Sequence, residues 1–203
     1  MKSVYFLSDA HLGCRSIPHD RTRERRLVRF LDGIKDKASA VYLLGDIFDF
    51  WYEYKTVVPR GYTRFLGKLS ELADRGVEVH FFTGNHDICC GYYLVKECGV
   101  TLHTEPMTVE MGDKVFMLAH GDGLGDPDRK FRFLRAVFRN RLCQRMFSCI
   151  HPRWAVDFGL SWAAHSRLKH GVEGGDPPYL GEDKGYLVRF AKEYLKAHSE
   201  INY

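Results

Sequence analysis

The sequence lacks any apolar run that approaches the roughly 20 residues needed to span a bilayer, and it contains no internal repeat or low-complexity tract. Its first residues reach a carboxylate at Asp9, which is too early for a secretory signal peptide. We therefore expect a cytoplasmic protein. A length of 203 residues, with 45% hydrophobic and 28% charged residues, fits one ordinary globular domain and excludes a disordered chain.

No two of the six cysteines form a C-x-x-C pair, which excludes a zinc ribbon and a thioredoxin-like redox motif. A cytoplasmic chain of this size needs no disulfides, so we expect free thiols that pack as small apolar side chains. The adjacent Cys89 and Cys90 leave a redox role open, although packing is the commoner use.

Acidic residues are absent from 129–156, a segment that holds eight Lys and Arg. Since the formal net charge of the whole chain is only +4, the rest of the chain is net acidic. The positive charge is one local feature rather than the broad basic footprint that DNA binding usually requires. We expect no nucleic-acid partner, and the sequence gives no sign of an obligate protein partner.

Strand-like and helix-like runs alternate along the first half of the chain. Strands are predicted at 3–8, 40–44, 77–83 and 100–103, and helices at 21–37, 62–72 and 91–98. This βαβαβ order implies parallel strands joined by right-handed crossovers. The strand-like runs 107–111 and 115–119 flank Gly112-Asp113, which predicts an antiparallel hairpin.

The second half of the chain is predominantly helical. Helices are predicted at 130–150, ended by Pro152, at 154–170 and at 183–198, with a loop over 171–181. Residues 200–203 resemble the entry to a further strand. The simplest arrangement is an α/β domain in which two mixed β-sheets are sandwiched between helices.

Four polar clusters each follow a strand-like run. They are Asp9-Ala10-His11, Gly45-Asp46-Ile47-Phe48-Asp49, Gly84-Asn85-His86-Asp87 and His120-Gly121-Asp122. Ligand sites in open α/β sheets form at the carboxyl ends of the strands, so we expect the clusters on one rim. Any one cluster alone is compatible with a turn. Four clusters in order, which mix hard oxygen donors with imidazole, predict a site for Mn, Fe or Zn.

The ordered set D-x-H, G-D-x-x-D, G-N-H-D and H-G-D resembles the calcineurin-like phosphoesterase superfamily. The resemblance implies a metallophosphoesterase fold and two divalent metal ions, with Mn²⁺ favoured and Fe²⁺ or Zn²⁺ as alternatives. By the same match, Asp9 and His11 hold the first metal, Asn85 and His120 hold the second, and Asp46 bridges both.

The same match gives His86 a different role. It faces the phosphate, where it stabilises the transition state or protonates the leaving oxygen. Asp87 is expected to fix the tautomer of His86. For Asp49 and Asp87, a structural hydrogen bond is an equal alternative.

One element of the superfamily pattern is missing. Its members close with G-H-x-H, which supplies one histidine to each metal, and no H-x-H occurs among these 203 residues. We expect a single domain over 1–203 that is C-terminally truncated, with each metal site one ligand short and with weak metal binding and poor activity.

Within the superfamily, the chain looks most like the UDP-2,3-diacylglucosamine hydrolases of lipid A biosynthesis, although many of these carry Arg at the position of His86. The resemblance implies cleavage of the pyrophosphate bond to give UMP and 2,3-diacylglucosamine 1-phosphate (lipid X). It also implies a helical lid over an acyl-chain chamber, expected here at 127–175. The candidate substrate contacts are Asp122, Phe131, Ser166, Arg167 and Lys169.

Arginines alternate with apolar residues along 129–147. This pattern is typical of an amphipathic helix on an anionic bilayer, so we expect peripheral attachment to the cytoplasmic face of the inner membrane. A core-packing helix with a solvated basic face is the alternative.

Two other functions stay open. A metal-dependent phosphodiesterase or phosphatase that acts on a nucleotide, a nucleic acid or a phosphoprotein needs the same metal centre and differs only in the insert. A catalytically dead scaffold with this fold is favoured by the missing histidines and opposed by the four intact clusters.

Overall fold

The computed structural model describes residues 2–16, 20–169 and 185–203. Strands and helices alternate first, and helices then dominate. In chain order the elements are β1 (Ser3–Leu7), α1 (Asp20–Ile34), β2 (Ala38–Leu43), α2 (Thr63–Asp74), β3 (Glu78–Phe82), α3 (Tyr92–Cys98), β4 (Thr101–His103), β5 (Met107–Met111), β6 (Lys114–Leu118), α4 (Arg129–Arg139), α5 (Arg141–Phe147), α6 (Pro152–Lys169) and α7 (Tyr186–Ala197).

Two sheets form the centre of the domain. The larger is parallel, with strand order β1-β2-β3-β4, and the smaller is the antiparallel hairpin β5-β6. The predicted α/β class with two sheets is therefore confirmed. Because the four strands are parallel, their carboxyl ends lie along one edge of the sheet.

The two faces of the parallel sheet are covered differently. On one face, α1, α2 and α3 bury a large apolar core that includes Leu31, Phe65, Leu69 and Leu94. The other face packs against the hairpin through Tyr42, Phe82 and Leu118, with Met107 and Phe116 beside them. The hairpin therefore holds the end of β6 close to the ends of β1, β2 and β3.

The segment after β2 is part of the larger core. Phe48 and Trp51 are fully buried, and their rings stack with centroids 4.4 Å apart. Truncating such a buried aromatic to alanine costs roughly 3–5 kcal/mol. This packing fixes the backbone on either side of Asp49.

The helix predicted over 130–150 is wrong as one element. It is broken at Asn140, which has extended dihedral angles, and the side chain of Asn140 accepts hydrogen bonds from the amides of Leu142 and Cys143. Asn140 thus ends α4 and caps α5. Pro152 begins α6 instead of ending the preceding helix, as is common for proline at a first helical position.

The last residues run beside β6. The amide of Tyr203 donates to the carbonyl of Val115, and the carbonyl of Tyr203 accepts from Met117 at 2.8 Å, which is a parallel ladder pattern. The ring of Tyr203 stacks on Phe116 with centroids 4.9 Å apart. This placement agrees with the strand entry predicted at 200–203.

Within 2–16, 20–169 and 185–203, no helix is long and apolar enough to cross a bilayer. The loop predicted at 171–181 and the first two residues of the helix predicted at 183–198 lie outside the described residues. All six cysteines are free thiols, and Cys14, Cys90 and Cys98 are buried, in keeping with a packing role.

Candidate metal centre

The D-x-H and G-D-x-x-D clusters meet because the chain continues to pair beyond β1 and β2. The amide of Asp9 donates to the carbonyl of Gly45 at 3.1 Å, and the amide of His11 donates to that of Asp46 at 2.9 Å. One bridge further on, Leu12 pairs with Phe48. The parallel ladder thus carries both clusters to the same rim.

Three of the predicted ligand residues have left-handed backbone conformations. The φ angles are 53° at Asp9, 41° at His11 and 52° at Asp46. Non-glycine residues rarely adopt this region, and where they do the local strain is held by surrounding structure, frequently at functional sites. The sharp turns aim these side chains at a common point beyond the sheet.

Two glycines allow the clusters to approach closely. A Cβ at Gly84 would lie 2.1 Å from Oδ1 of Asp46, and one at Gly45 would lie 2.7 Å from Nδ1 of His120. Only a residue without a side chain fits at either position. The G-D and G-N-H-D patterns therefore contain glycine for a steric reason.

Asp46 is the centre of the site. Its Oδ2 lies 3.5 Å from Nε2 of His120 and 3.8 Å from Nε2 of His11, while Oδ1 of Asp9 lies 3.8 Å from the same nitrogen of His11. Ligand atoms of Asp9, Asp46 and His120 lie within 4.8 Å of one another, and so do those of His11, Asp46 and His86. Asp46 belongs to both groups, as expected of a bridging ligand, whereas Asp9 and His11, predicted to share one metal, fall in different groups.

The donor set fits divalent transition metals. It combines carboxylate oxygens with imidazole nitrogens, which suit Mn, Fe and Zn. Nδ1 of His120 lies 2.9 Å from the carbonyl oxygen of Leu44 and can donate to it. Such a bond leaves Nε2 as the ligand atom and fixes the ring orientation.

Charge is concentrated in this site. Burial opposes ionisation of Asp46, but the hydrogen bond with His120 and the charges of His86 and His120 outweigh burial and hold the pKa of Asp46 at about 2. Burial likewise disfavours the His120 imidazolium, yet Asp46 raises the pKa of His120 to about 9. A metal that binds Nε2 of His120 displaces its proton.

Asp87 makes structural hydrogen bonds. Its carboxylate is fully buried and accepts from the amides of Gly84, Asp46, Ile47 and Phe48 at 2.8–3.3 Å. Burial and the charge of Asp46 raise the pKa of Asp87 to about 7. The carboxylate ties the G-D-x-x-D loop to the G-N-H-D loop.

The orienting contact of His86 comes from Asp49 and not, as expected, from Asp87. Nδ1 of His86 lies 2.9 Å from the carbonyl oxygen of Asp49, and Oδ1 of Asp49 lies 3.4 Å from Nδ1 of His11. The rings of His11 and His86 meet edge to face with centroids 4.9 Å apart. The buried Asp49 therefore orients both histidines.

A cavity of about 330 Å³ adjoins these residues. Asp49, Asn85 and His86 lie at its polar end, and Phe131 is in its wall. The remaining lining is mostly apolar. Part of it comes from the segments after β2 and β3, such as Trp51 and Ile88, and the rest from α4, α5 and α6, including Leu134, Val137, Phe138, Phe147, Phe158 and Trp162. The structure thus places an apolar chamber directly beside the predicted phosphate-facing histidine.

The other candidate substrate contacts have different surroundings. Asp122 is buried, and its Oδ2 accepts from Nε of Arg135 and lies 3.6 Å from a terminal nitrogen of Arg139. The backbone of Ser166, Arg167 and Lys169 lies in the last turn of α6, and their side chains lie outside what the structure describes.

Two arginines at the site were missed. Arg135 is four residues after Phe131, so helical spacing places it on the cavity side of α4, a signal that was present in the sequence. Arg23 of α1 donates to the carbonyl of Ala10, between Asp9 and His11. Nothing in the sequence pattern distinguished Arg23 from the other arginines of α1.

Residues 2–166 match the family model for calcineurin-like phosphoesterases. The chain is 43% identical to a UDP-2,3-diacylglucosamine hydrolase of Porphyromonas gingivalis, over 98% of this chain and 80% of that one. The protein of the same name from Neisseria meningitidis is 33% identical, over 87% of this chain and 72% of that one. The UDP-2,3-diacylglucosamine hydrolase of Edwardsiella ictaluri is 32% identical, over 84% of this chain and 64% of that one.

Proposed function

The chain belongs to the calcineurin-like phosphoesterases and, within them, to the UDP-2,3-diacylglucosamine hydrolase family, and from this premise we propose that it hydrolyses the pyrophosphate bond of UDP-2,3-diacylglucosamine. The products are UMP and 2,3-diacylglucosamine 1-phosphate. The observation that carries the proposal is the apolar cavity, which ends at Asn85 and His86 beside the candidate metal centre.

In this proposal, Asp9 and His11 hold one divalent ion, Asn85 and His120 hold the other, and Asp46 is shared. Manganese is the favoured metal. Bound there, the two ions would supply an activated water and neutralise charge on the phosphoryl group. The left-handed turns and the bond from His120 to Leu44 hold the ligands in place before the metals arrive.

His86 acts on the phosphate from the cavity side. Because its Nδ1–H donates to the carbonyl of Asp49, the protonated ring presents Nε2–H as a second donor. That donor stabilises charge on a phosphoryl oxygen or protonates the leaving oxygen. Asp49 and Asp87 position the loops that carry the ligands and His86.

The cavity accounts for the lipid half of the substrate. Its walls, built by Phe131, Leu134, Phe147 and Trp162, remove acyl chains from water, which contributes about 0.8 kcal/mol per buried CH₂. A chain seated there brings the attached sugar phosphate to the polar end of the cavity.

Access to a lipid substrate is proposed to occur at the bilayer surface. Phe133, Leu142, Met146 and Trp154 are each 66–71% exposed, and they lie among the arginines of the segment 129–156, which has no acidic residue. Exposed aromatic and aliphatic side chains beside arginines suit an anionic interface. We place the protein peripherally on the cytoplasmic face of the inner membrane.

The catalytic proposal is tested with purified protein, Mn²⁺ and UDP-2,3-diacylglucosamine in ¹⁸O-labelled water. We expect UMP and lipid X, with the label in UMP because water attacks the α-phosphorus. Asp46→Asn should lower turnover at least 10³-fold, while Lys96→Met, exposed on α3, should leave it unchanged. Rapid hydrolysis of single-stranded DNA or bis-p-nitrophenyl phosphate without hydrolysis of the lipid would reject the substrate. Manganese binding without turnover of any phosphoester would favour the scaffold.

The membrane proposal is tested by co-sedimentation with vesicles. The wild type should bind phosphatidylglycerol-containing vesicles more tightly than phosphatidylcholine vesicles, and Trp154→Ser with Met146→Ser should weaken that binding at least tenfold. Tyr92→Ser is the matched control, since Tyr92 is 74% exposed but lies on α3. Equal loss in the control would reject the assigned surface.

A further inference from the structure

The lid helix α4 is held to the rest of the protein by charge. No residue of α4 is buried, and Phe133 on its outer side is 71% exposed. Its inner residues Phe131, Leu134 and Phe138 line the cavity. They therefore face the volume that substrate would fill and make little contact there with the rest of the protein. Apolar packing alone leaves the helix loosely seated.

Two arginines one turn apart provide the attachment. Nε of Arg135 donates to Oδ2 of Asp122, and a terminal nitrogen of Arg139 lies 3.6 Å from the same oxygen. Arg139 also donates to the carbonyl of Thr104 at 2.8 Å and lies 3.8 Å from Glu105. The two arginines thereby fasten α4 to two separate loops of the core.

The carboxylate that receives them belongs to the metal-centre loop. Asp122 is two residues after His120 and is only 8% exposed, so its charge requires partners. Gly123 lets Arg135 approach, since a Cβ there would lie 3.1 Å from Cδ of Arg135. Asp122, which binds the two arginines of α4, and the predicted metal ligand His120 therefore lie on the same short loop.

We propose that Arg139, together with Arg135, is a positioning residue that seats α4 over the cavity by binding Asp122. The inference rests on the proposed lipid substrate for its kinetic consequence. A seated α4 closes one wall of the cavity, so loss of the tether weakens binding of acylated substrate. A small phosphodiester that needs only the metal centre is unaffected.

Arg139→Met separates the two effects. Relative to wild type, KM for UDP-2,3-diacylglucosamine should rise at least tenfold, while kcat/KM for bis-p-nitrophenyl phosphate stays within threefold. Arg139→Lys should recover part of the loss because lysine keeps a charge for Asp122. Lys96→Met, exposed on α3, should match wild type for both substrates. Arg132→Met, on the exposed side of α4, is kept as the control for hydrogen exchange.

A parallel fall for both substrates, or no change for either, would overturn the proposal. Hydrogen exchange gives a readout that does not depend on the lipid. Amides of 129–139 should exchange at least fivefold faster in Arg139→Met than in Arg132→Met. Equal exchange rejects the tether, whereas faster exchange in a protein that never hydrolyses the lipid rejects only the proposed substrate.

Discussion

Nδ1 of His120 lies 2.9 Å from the carbonyl oxygen of Leu44, while Nε2 of the same ring lies 3.5 Å from Oδ2 of Asp46. The ring is thus fixed from the sheet side and faces the site with its other nitrogen. Leu44 directly follows β2, and His120 comes shortly after β6. The end of a strand of the parallel sheet therefore orients a side chain that the hairpin supplies.

Metal affinity should depend on pH through His120. Asp46 raises the pKa of His120 to about 9, so below that pH a metal must displace a proton, and affinity should fall by up to tenfold per unit as pH decreases. Calorimetric titration with Mn²⁺ between pH 6.5 and 9 measures the slope. His120→Gln should bind metal weakly and lose that slope, and an unchanged slope would contradict the assignment.

Replacing Asp87 by asparagine should destabilise the protein. Each of the two carboxylate oxygens of Asp87 accepts from two backbone amides. In either orientation, the amide group of asparagine would point a donor at two N–H groups, which costs about 1–3 kcal/mol. Urea unfolding measures the change. Asp113→Asn in the exposed hairpin turn is the control, and a loss no larger than that of the control would refute the structural role.

Protonation of His103 should destabilise the fold. Its ring is half buried, and Nε2 lies 3.1 Å from Nδ1 of His80. Burial, together with the charge of His80, lowers the pKa of His103 below 6.5. The unfolded chain then binds more protons, so stability falls as pH decreases through 6.5. His103→Gln should reduce that slope and His165→Gln should not, as thermal unfolding at several pH values can test.

Arg23 should control metal affinity through the backbone. It donates to the carbonyl of Ala10, between Asp9 and His11, and so it holds the strained D-x-H turn. Residues that orient ligands in this way typically change metal affinity 10–100-fold when replaced. Arg23→Met should show that loss in Mn²⁺ titration, with the free energy of unfolding changed by less than about 1 kcal/mol. Arg26→Met, exposed on α1, serves as the reference, and equal affinities in both variants would exclude the role.

The sequence was sufficient to predict the rim because each cluster directly follows a strand. The βαβαβ pattern and the rule of right-handed crossovers predicted parallel strands, whereas the order β1-β2-β3-β4 was established only by the structure. Periodicity did not reveal the break at Asn140, because apolar spacing continues across it while a side-chain cap decides where one helix ends.

Polar contacts between residues far apart in the chain could not be predicted from the sequence. Whether Asp49 or Asp87 contacts His86 depends on backbone turns that bring a carbonyl within 2.9 Å of the ring. The partners of Asp122 likewise come from α4, 13 and 17 residues further along the chain. Residue type alone did not distinguish these tethering arginines from their solvent-exposed neighbours.

The left-handed turn at Asp9 implies a trade-off between the stability of the metal-free protein and its ability to bind metal. Asp9 is 51% exposed, faces His11 at 3.8 Å, and adopts a φ of 53°, which asparagine and glycine tolerate better than most residues. In metal-free conditions, Asp9→Gly should thus relax the turn and yield a protein that resists denaturant at least as well as the wild type. The positive φ that aims the Asp9 carboxylate at a cation is strained in the metal-free protein, and replacing Asp9 by glycine removes that strain together with the carboxylate.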